Sequence, residues 1–158
     1  MRRRIQRVKG AAVESGGGGW SRSGAGRLGL VGGGPDGGGE DVEWLAGKLV
    51  RLRIFDDEAG VMNRDVVQAG GEVLVVSQFT LLASTRKGNR PSYVRAAPEP
   101  VSRPLYERFA ARVAELSGRP VATGRFGADI PGALVNAGPA TISTAPNNRQ
   151  TWRRSRHT

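Results

Sequence analysis

The 158-residue chain has no cysteine, and its one histidine, His157, is the penultimate residue. Without cysteine there is no disulfide and no thiolate for attack or for metal, which fits a cytosolic protein. With one imidazole at the far end of the chain, a Ser-His or Cys-His pair and a His/Cys metal cluster are excluded. An enzyme of this sequence must work with hydroxyls, carboxylates, backbone amides or groups on its own substrate, and neither metal nor cofactor is expected. No apolar run approaches the roughly 18 residues of a membrane span. The cationic start MRRRIQRV lacks the apolar core of a signal peptide, so the expected location is cytoplasmic. Aromatics are few (three Trp, two Tyr, four Phe), and a stacking surface of the single-strand-binding type is not expected.

Acids are scarce as well. There are 14 against 24 Lys and Arg, giving a net charge of +10 and a pI near 11.4. Five cations lie in the first nine residues, four between Arg86 and Arg95, and four between Arg149 and Arg156; no acid falls between Val73 and Pro98 or after Asp129. A solvated basic surface accounts for such clusters, and so does a polyanionic partner, for which RNA or DNA phosphate is the usual choice.

What is abundant is glycine: 24 residues, 14 of them from Gly10 to Gly39. A flexible linker from Gly16 to Gly39 would have only 15 residues ahead of it, too few for a domain, so the segment reads as glycine-weakened hairpins and loops. The length suits one domain. Ile5, Val8 and Val13 suggest short strands. Val42, Leu45, Ala46, Leu49 and Leu52 recur with the period of an amphipathic helix, and FDDEAGVMN follows as an acidic turn. The apolar run from Val73 predicts a buried strand ending on Ser77-Gln78-Phe79-Thr80. Ser102 is a candidate N-cap for a second helix with Leu105, Phe109, Val113 and Leu116 on one face, closed by Gly118. Short strands are expected at Pro120–Thr123 and around Leu134–Ile142. The fold expected is α+β: a mostly antiparallel sheet or partly open barrel covered by two helices.

Taken alone, SQFT is either the polar end of a strand or the lining of a pocket. Its neighbours favour the second reading. IQRV, LRIF with MNR, GGEVLVVSQFTL, KGNRPSY, TGRFGA and NAGPATI occur in one order along the chain. In these blocks the sequence resembles the D-aminoacyl-tRNA deacylases. Ser77–Thr80 match that family's strand-end motif, and Asn136–Thr141 match its Asn-x-x-Pro-x-Thr segment with the Gly138-Pro139 pair.

The resemblance covers Met1 to about Ser143, which implies a deacylase domain over 1–143 and a basic, disordered tail over 144–158. It implies a homodimer that hydrolyses the ester of D-aminoacyl-tRNA, and of tRNA mischarged with glycine, in chiral proofreading during translation. Ser77, Gln78, Phe79 and Thr80 would form the catalytic pocket, with the oxyanion held by backbone amides because no base is at hand to activate Thr80. Gly138-Pro139, with a cis peptide, would reach into the partner's pocket and exclude L side chains, helped by Asn136 and Thr141. Arg7 would hold that loop, or else serve as a salt-bridging arginine on the strand edge. Lys87, Arg90 and Arg95 would meet tRNA phosphates. Several residues depart from the family: Ala137 for Asp, Ala140 for a larger aliphatic, Pro131-Gly132 inside an expected strand, and Arg27, Gly29 and Gly33 for apolar core residues. These departures are expected to lower stability or activity, and they keep open a second reading, a tRNA-binding relative with impaired catalysis.

Overall fold

The computed structural model describes residues 1–16, 19–34, 37–127 and 131–146. Residues 147–158, most of the expected tail, lie outside them. Where short strands were expected at the N-terminus there is one long strand, β1 (Arg2–Gly16). Its length follows from its partners. Residues 2–8 pair antiparallel with β3 (Gly26–Gly32) and residues 11–16 with β2 (Gly19–Ser23), while β8 (Gly132–Thr144) covers the other edge from Arg3 to Val13. The glycine-rich segment is thus two strands, as its hairpin reading requires. Pro131-Gly132, expected to interrupt a strand, instead opens β8, a position that needs no amide from proline.

β6 (Glu72–Ser77) runs parallel to β3, and β7 (Ala122–Thr123) runs parallel to β6. Parallel neighbours need crossovers, and the two helices provide them: α1 (Gly39–Arg51) before β6 and α2 (Glu99–Ser117) after it. The acidic turn is a separate hairpin, β4 (Phe55–Asp56) with β5 (Met62–Arg64). The sheet is therefore mixed, with antiparallel ladders in the majority, and both helices cover one of its faces.

Strand alternation divides the apolar residues between two faces. Ile5, Val31, Val73 and Val75 meet Leu45, Leu49, Phe109 and Val113 of the helices. Val8, Leu28, Leu74 and Val76 form a second cluster on the opposite face. Phe109, Leu45 and Leu49 are fully buried, each worth about 1.5–3 kcal/mol relative to an exposed side chain. In α1, Val42, Leu45, Ala46 and Leu49 are buried as their spacing predicts, and Leu52 becomes the C-cap. α2 starts a turn earlier than Ser102. Pro98 takes the N-cap position, and Pro100 occupies the first turn, where no amide is needed. The Ser102 hydroxyl donates to the Pro98 carbonyl at 3.1 Å. Gly118 ends the helix with φ 69°, in the left-handed conformation that suits glycine.

The departures in β3 have a physical account. Arg27 is fully buried among apolar residues. It donates to the carbonyls of Leu49 and Leu52 at the end of α1 and lies 5.2 Å from the Phe55 ring centre. Arg3, equally buried, donates to the Leu45 carbonyl and to Thr144 Oγ1 at 2.7 Å. Of the two, Arg27 sits at the C-terminus of α1, where a cation opposes the negative end of the helix dipole. Burial lowers the Arg3 pKa to about 9, with repulsion from Arg27 adding to it. Burial lowers that of Arg27 to about 10, against the pull of Asp65. A Cβ on Gly29 would stand 2.9 Å from Leu49 Cδ1, and one on Gly33 3.0 Å from Ser102 Cβ. Glycine at position 29 weakens the strand but lets α1 approach it, and Gly33, just past the end of β3, does the same for α2.

Candidate active site

β6 carries the site. Leu74 and Val76 point away from the helices, and the ladder stops at Ser77 because β3 stops beside it. The Gln78 amide makes the final bond, to the Val31 carbonyl at 2.7 Å. The chain then leaves the sheet in a single 3-10 turn, Phe79–Leu82, so of the expected strand end Ser77–Thr80 only Ser77 belongs to the strand. Ser77 and Gln78 are half-buried, while Phe79 and Thr80 are exposed.

All four line one end of a cleft of about 620 Å³ on the face away from the helices. Leu28, Leu30, Leu74 and Val76 line it as well, with Ala133 and Leu134 of β8. Among the described residues no carboxylate and no imidazole lines this cleft. The Gln78 side-chain amide donates to Thr80 Oγ1, so the threonine hydroxyl meets an amide and not a base. The first amides of a 3-10 turn have no carbonyl within it, and the Phe79 and Thr80 N–H groups have no backbone partner among the described residues. Two unpaired donors beside a largely apolar cleft suit a developing oxyanion. Gln6 was missed by sequence reasoning, although it lies in the same IQRV block as Arg7. It lines the cleft, and its even spacing from Val8 on β1 is the signal that finds it.

The second motif is placed differently. β8 pairs with β1 at Gln6–Thr141 and again at Val8–Asn136, so four residues, Ala137 to Ala140, bulge opposite Arg7 alone. Arg7 Nε donates to the Ala137 carbonyl at 2.7 Å, and Nη1 donates to the Ile54 carbonyl at 2.8 Å. Asp56 lies 3.9 Å from Nη1. Arg7 is thus both ion-paired and tied to the loop, with the loop contact the closer. No peptide bond among the described residues is cis. Gly138–Pro139 is therefore trans, and the expected cis bond is corrected. Gly138 at φ 80° and the surplus of residues in β8 turn the chain instead. Gly138, Pro139, Asn136 and Thr141 are exposed, and none of them lines the cleft of their own chain.

Lys87 and Arg90 are exposed on a loop closed by the Ser84–Ser92 bridge, and Arg95 is exposed three residues beyond it. None is ion-paired among the described residues.

The profile of the D-Tyr-tRNA(Tyr) deacylase family matches residues 4–145. A protein of Bacteroides thetaiotaomicron named D-aminoacyl-tRNA deacylase is 51% identical over 150 residues, 95% of this chain and 100% of its own length. One of the same name from Chromobacterium violaceum is 54% identical over 142 residues, 90% of this chain and 95% of its own. Among solved structures, the c-Myc DNA Unwinding Element Binding Protein superposes with a TM-score of 0.83 at 32% identity, over 91% of this chain and 97% of that one. A probable eukaryotic D-amino acid tRNA deacylase shares the fold, with a TM-score of 0.77 at 18% identity, over 90% of this chain and 97% of its own. The matched span runs from the first strand through the four-residue bulge and takes in both motifs, the turn at Ser77–Thr80 and the segment Asn136–Thr141: the chain belongs to the D-Tyr-tRNA(Tyr) deacylase family.

Proposed function

We propose that the chain hydrolyses the ester joining a D-amino acid, or misattached glycine, to the 3′-terminal ribose of tRNA, and so proofreads chirality in the cytoplasm. The observation that carries this reading is the Ser77–Thr80 turn, which lines a cleft without a base and whose Phe79 and Thr80 amides have no backbone partner among the described residues. An aminoacyl ester is already activated, so water attack needs chiefly a stabilised oxyanion, which the Phe79 and Thr80 amides provide. As the carbonyl carbon becomes tetrahedral its oxygen gains charge and shortens those hydrogen bonds. Collapse then breaks the ester bond to the ribose oxygen, with the neighbouring ribose hydroxyl assisting.

The Gly138-Pro139 loop selects the substrate from across a homodimer. Support comes from its placement: Arg7 joins its Ala137 carbonyl to the Ile54 carbonyl, and neither Gly138 nor Pro139 lines the cleft of its own chain. In addition, β8 exposes Leu134 and Val135 for burial against a second copy. The loop's backbone receives the substrate's ammonium group and leaves no room for an L side chain, so glycine passes with the D substrates. Asn136 and Thr141 flank the loop. Lys87, Arg90 and Arg95 hold phosphates, and a basic tail from residue 144 adds a grip on RNA that reads no sequence.

Deacylation of matched D-Tyr-tRNA and L-Tyr-tRNA at moderate salt, against an enzyme-free control, tests this. Rapid loss of the D ester with the L ester spared is expected. Salt-dependent tRNA binding with neither ester cleaved, by folded protein, would replace it with the reading of a tRNA-binding relative.

A further inference from the structure

The cleft side of β1 also carries charge. Arg2 and Arg4 alternate with the buried Arg3 and share the face of Gln6, which lines the cleft. Arg4 lies opposite Leu30, another lining residue, so the two cations stand along the cleft's rim. Both are exposed, and neither is ion-paired among the described residues. Arg2 Nη1 donates to the Leu81 carbonyl at 3.2 Å, which ties the start of β1 to the turn that carries the site. Arg4 engages only its Nε, which donates to Ser143 Oγ at 3.3 Å. Both of its Nη groups have no partner among the described residues. Between this rim and Ser77 the floor is apolar, made by Leu30 and Val76.

We propose that Arg4, with Arg2 beside it, receives the side-chain carboxylate of an acidic D-amino acid, so that D-aspartyl and D-glutamyl esters are cleaved ahead of their neutral counterparts. The inference rests on the deacylase reading. With the ester carbonyl on the turn and the phosphates on the loop of Lys87 and Arg90, the ribose lies toward that loop. The acyl group then points across the apolar floor toward β1. Its ammonium group is taken by the loop from the second copy, which leaves the D side chain to run over Leu30. A planar guanidinium with both Nη groups open matches a carboxylate through two parallel hydrogen bonds. The apolar floor weakens the screening of that pair, and a lysine side chain in the same place meets like charge. Apolar D side chains lie on the floor without using Arg4, so the rim adds a preference and does not narrow the range.

A pair of side chains of one shape isolates the charge. D-Asp and D-Asn esters of the same tRNA are assayed with wild type, Arg4→Met and Arg4→Lys, each rate divided by the spontaneous hydrolysis of that ester. Wild type should cleave the D-Asp ester with a kcat/KM about 2- to 5-fold higher. The preference should vanish in Arg4→Met and survive in part in Arg4→Lys, which keeps the charge but not the fork. Each ratio is taken within one protein, so a general loss of activity cancels. No preference for D-Asp in wild type, or the same preference in wild type and Arg4→Met, overturns the inference. Cations that held a phosphate instead would slow both esters alike and give that second result. Wild type inactive on D-Tyr-tRNA and on both of these esters overturns the deacylase reading itself. Should Arg4→Met fail to fold, a salt series on wild type decides. The preference should fade as salt screens an exposed pair, and a ratio indifferent to salt overturns the proposal.

Discussion

The two faces of the sheet are built from the same strands and treat them in opposite ways. Toward the helices, Val73 and Val75 are sealed under Phe109 and Val113, and even the charged Arg3 and Arg27 are buried because carbonyls of α1 receive them. Toward the cleft, Leu74 and Val76 lead to a turn whose polar groups stay open to solvent. One face spends its residues on stability and the other on chemistry, and the two-residue period of a strand keeps the accounts separate. This explains how the chain carries unusual residues in β3 without disturbing the site: Arg27, Gly29 and Val31 face the helices, whereas Leu28 and Leu30 face the cleft.

The largest effect that tests this separation belongs to Phe109. Phe109→Ala should cost about 3–5 kcal/mol in urea unfolding and leave the activity of each remaining folded molecule intact. A matching fall in specific activity would show that the faces are coupled. Thr80→Ala is the converse. It should lower kcat/KM about tenfold, equivalent to about 1.4 kcal/mol, with the urea midpoint unmoved. A loss approaching the roughly million-fold of a removed nucleophile would make the hydroxyl the attacking group.

The smallest effect is a pH dependence confined to the helix face. Folded Arg3 holds its proton only to about pH 9, against 12.5 for the free side chain. Between those values the unfolded chain binds more protons, so this group makes the protein more stable as pH rises. The cost of burying its charge is fully present below about pH 9. Tyr106, pushed up to about 12 by burial, works the other way above its ordinary value of 10, which leaves pH 8–10 as the window. There wild type should gain about 1 kcal/mol over Arg3→Met, read from urea midpoints at the two ends. A constant difference would mean that Arg3 stays charged.

Much of this was legible in the residues. The helical period from Val42 to Leu49 carried α1, and the ordered motif blocks carried the family and the turn at Ser77–Thr80. β1 was not legible as one strand because its apolar alternation breaks at Lys9, where pairing with β8 slips by a residue. Ser102 looked like a cap because serine usually is one, but Pro98 and Pro100 had already set the backbone for a helix. The buried arginines could not be foreseen, since their partners are carbonyls over 20 residues away. The direction of the Gly138-Pro139 loop depends on the register of β8 against β1, which no local pattern encodes.

The bulge over Arg7 also has a meaning for genetics. On the dimeric reading, each chain contributes a turn to one site and a loop to the other. A lesion in the turn and a lesion in the loop, carried by different alleles, then fall together on one site of a mixed dimer and leave its second site whole. Two dead alleles of this gene would complement each other, while a single allele carrying both lesions would rescue neither.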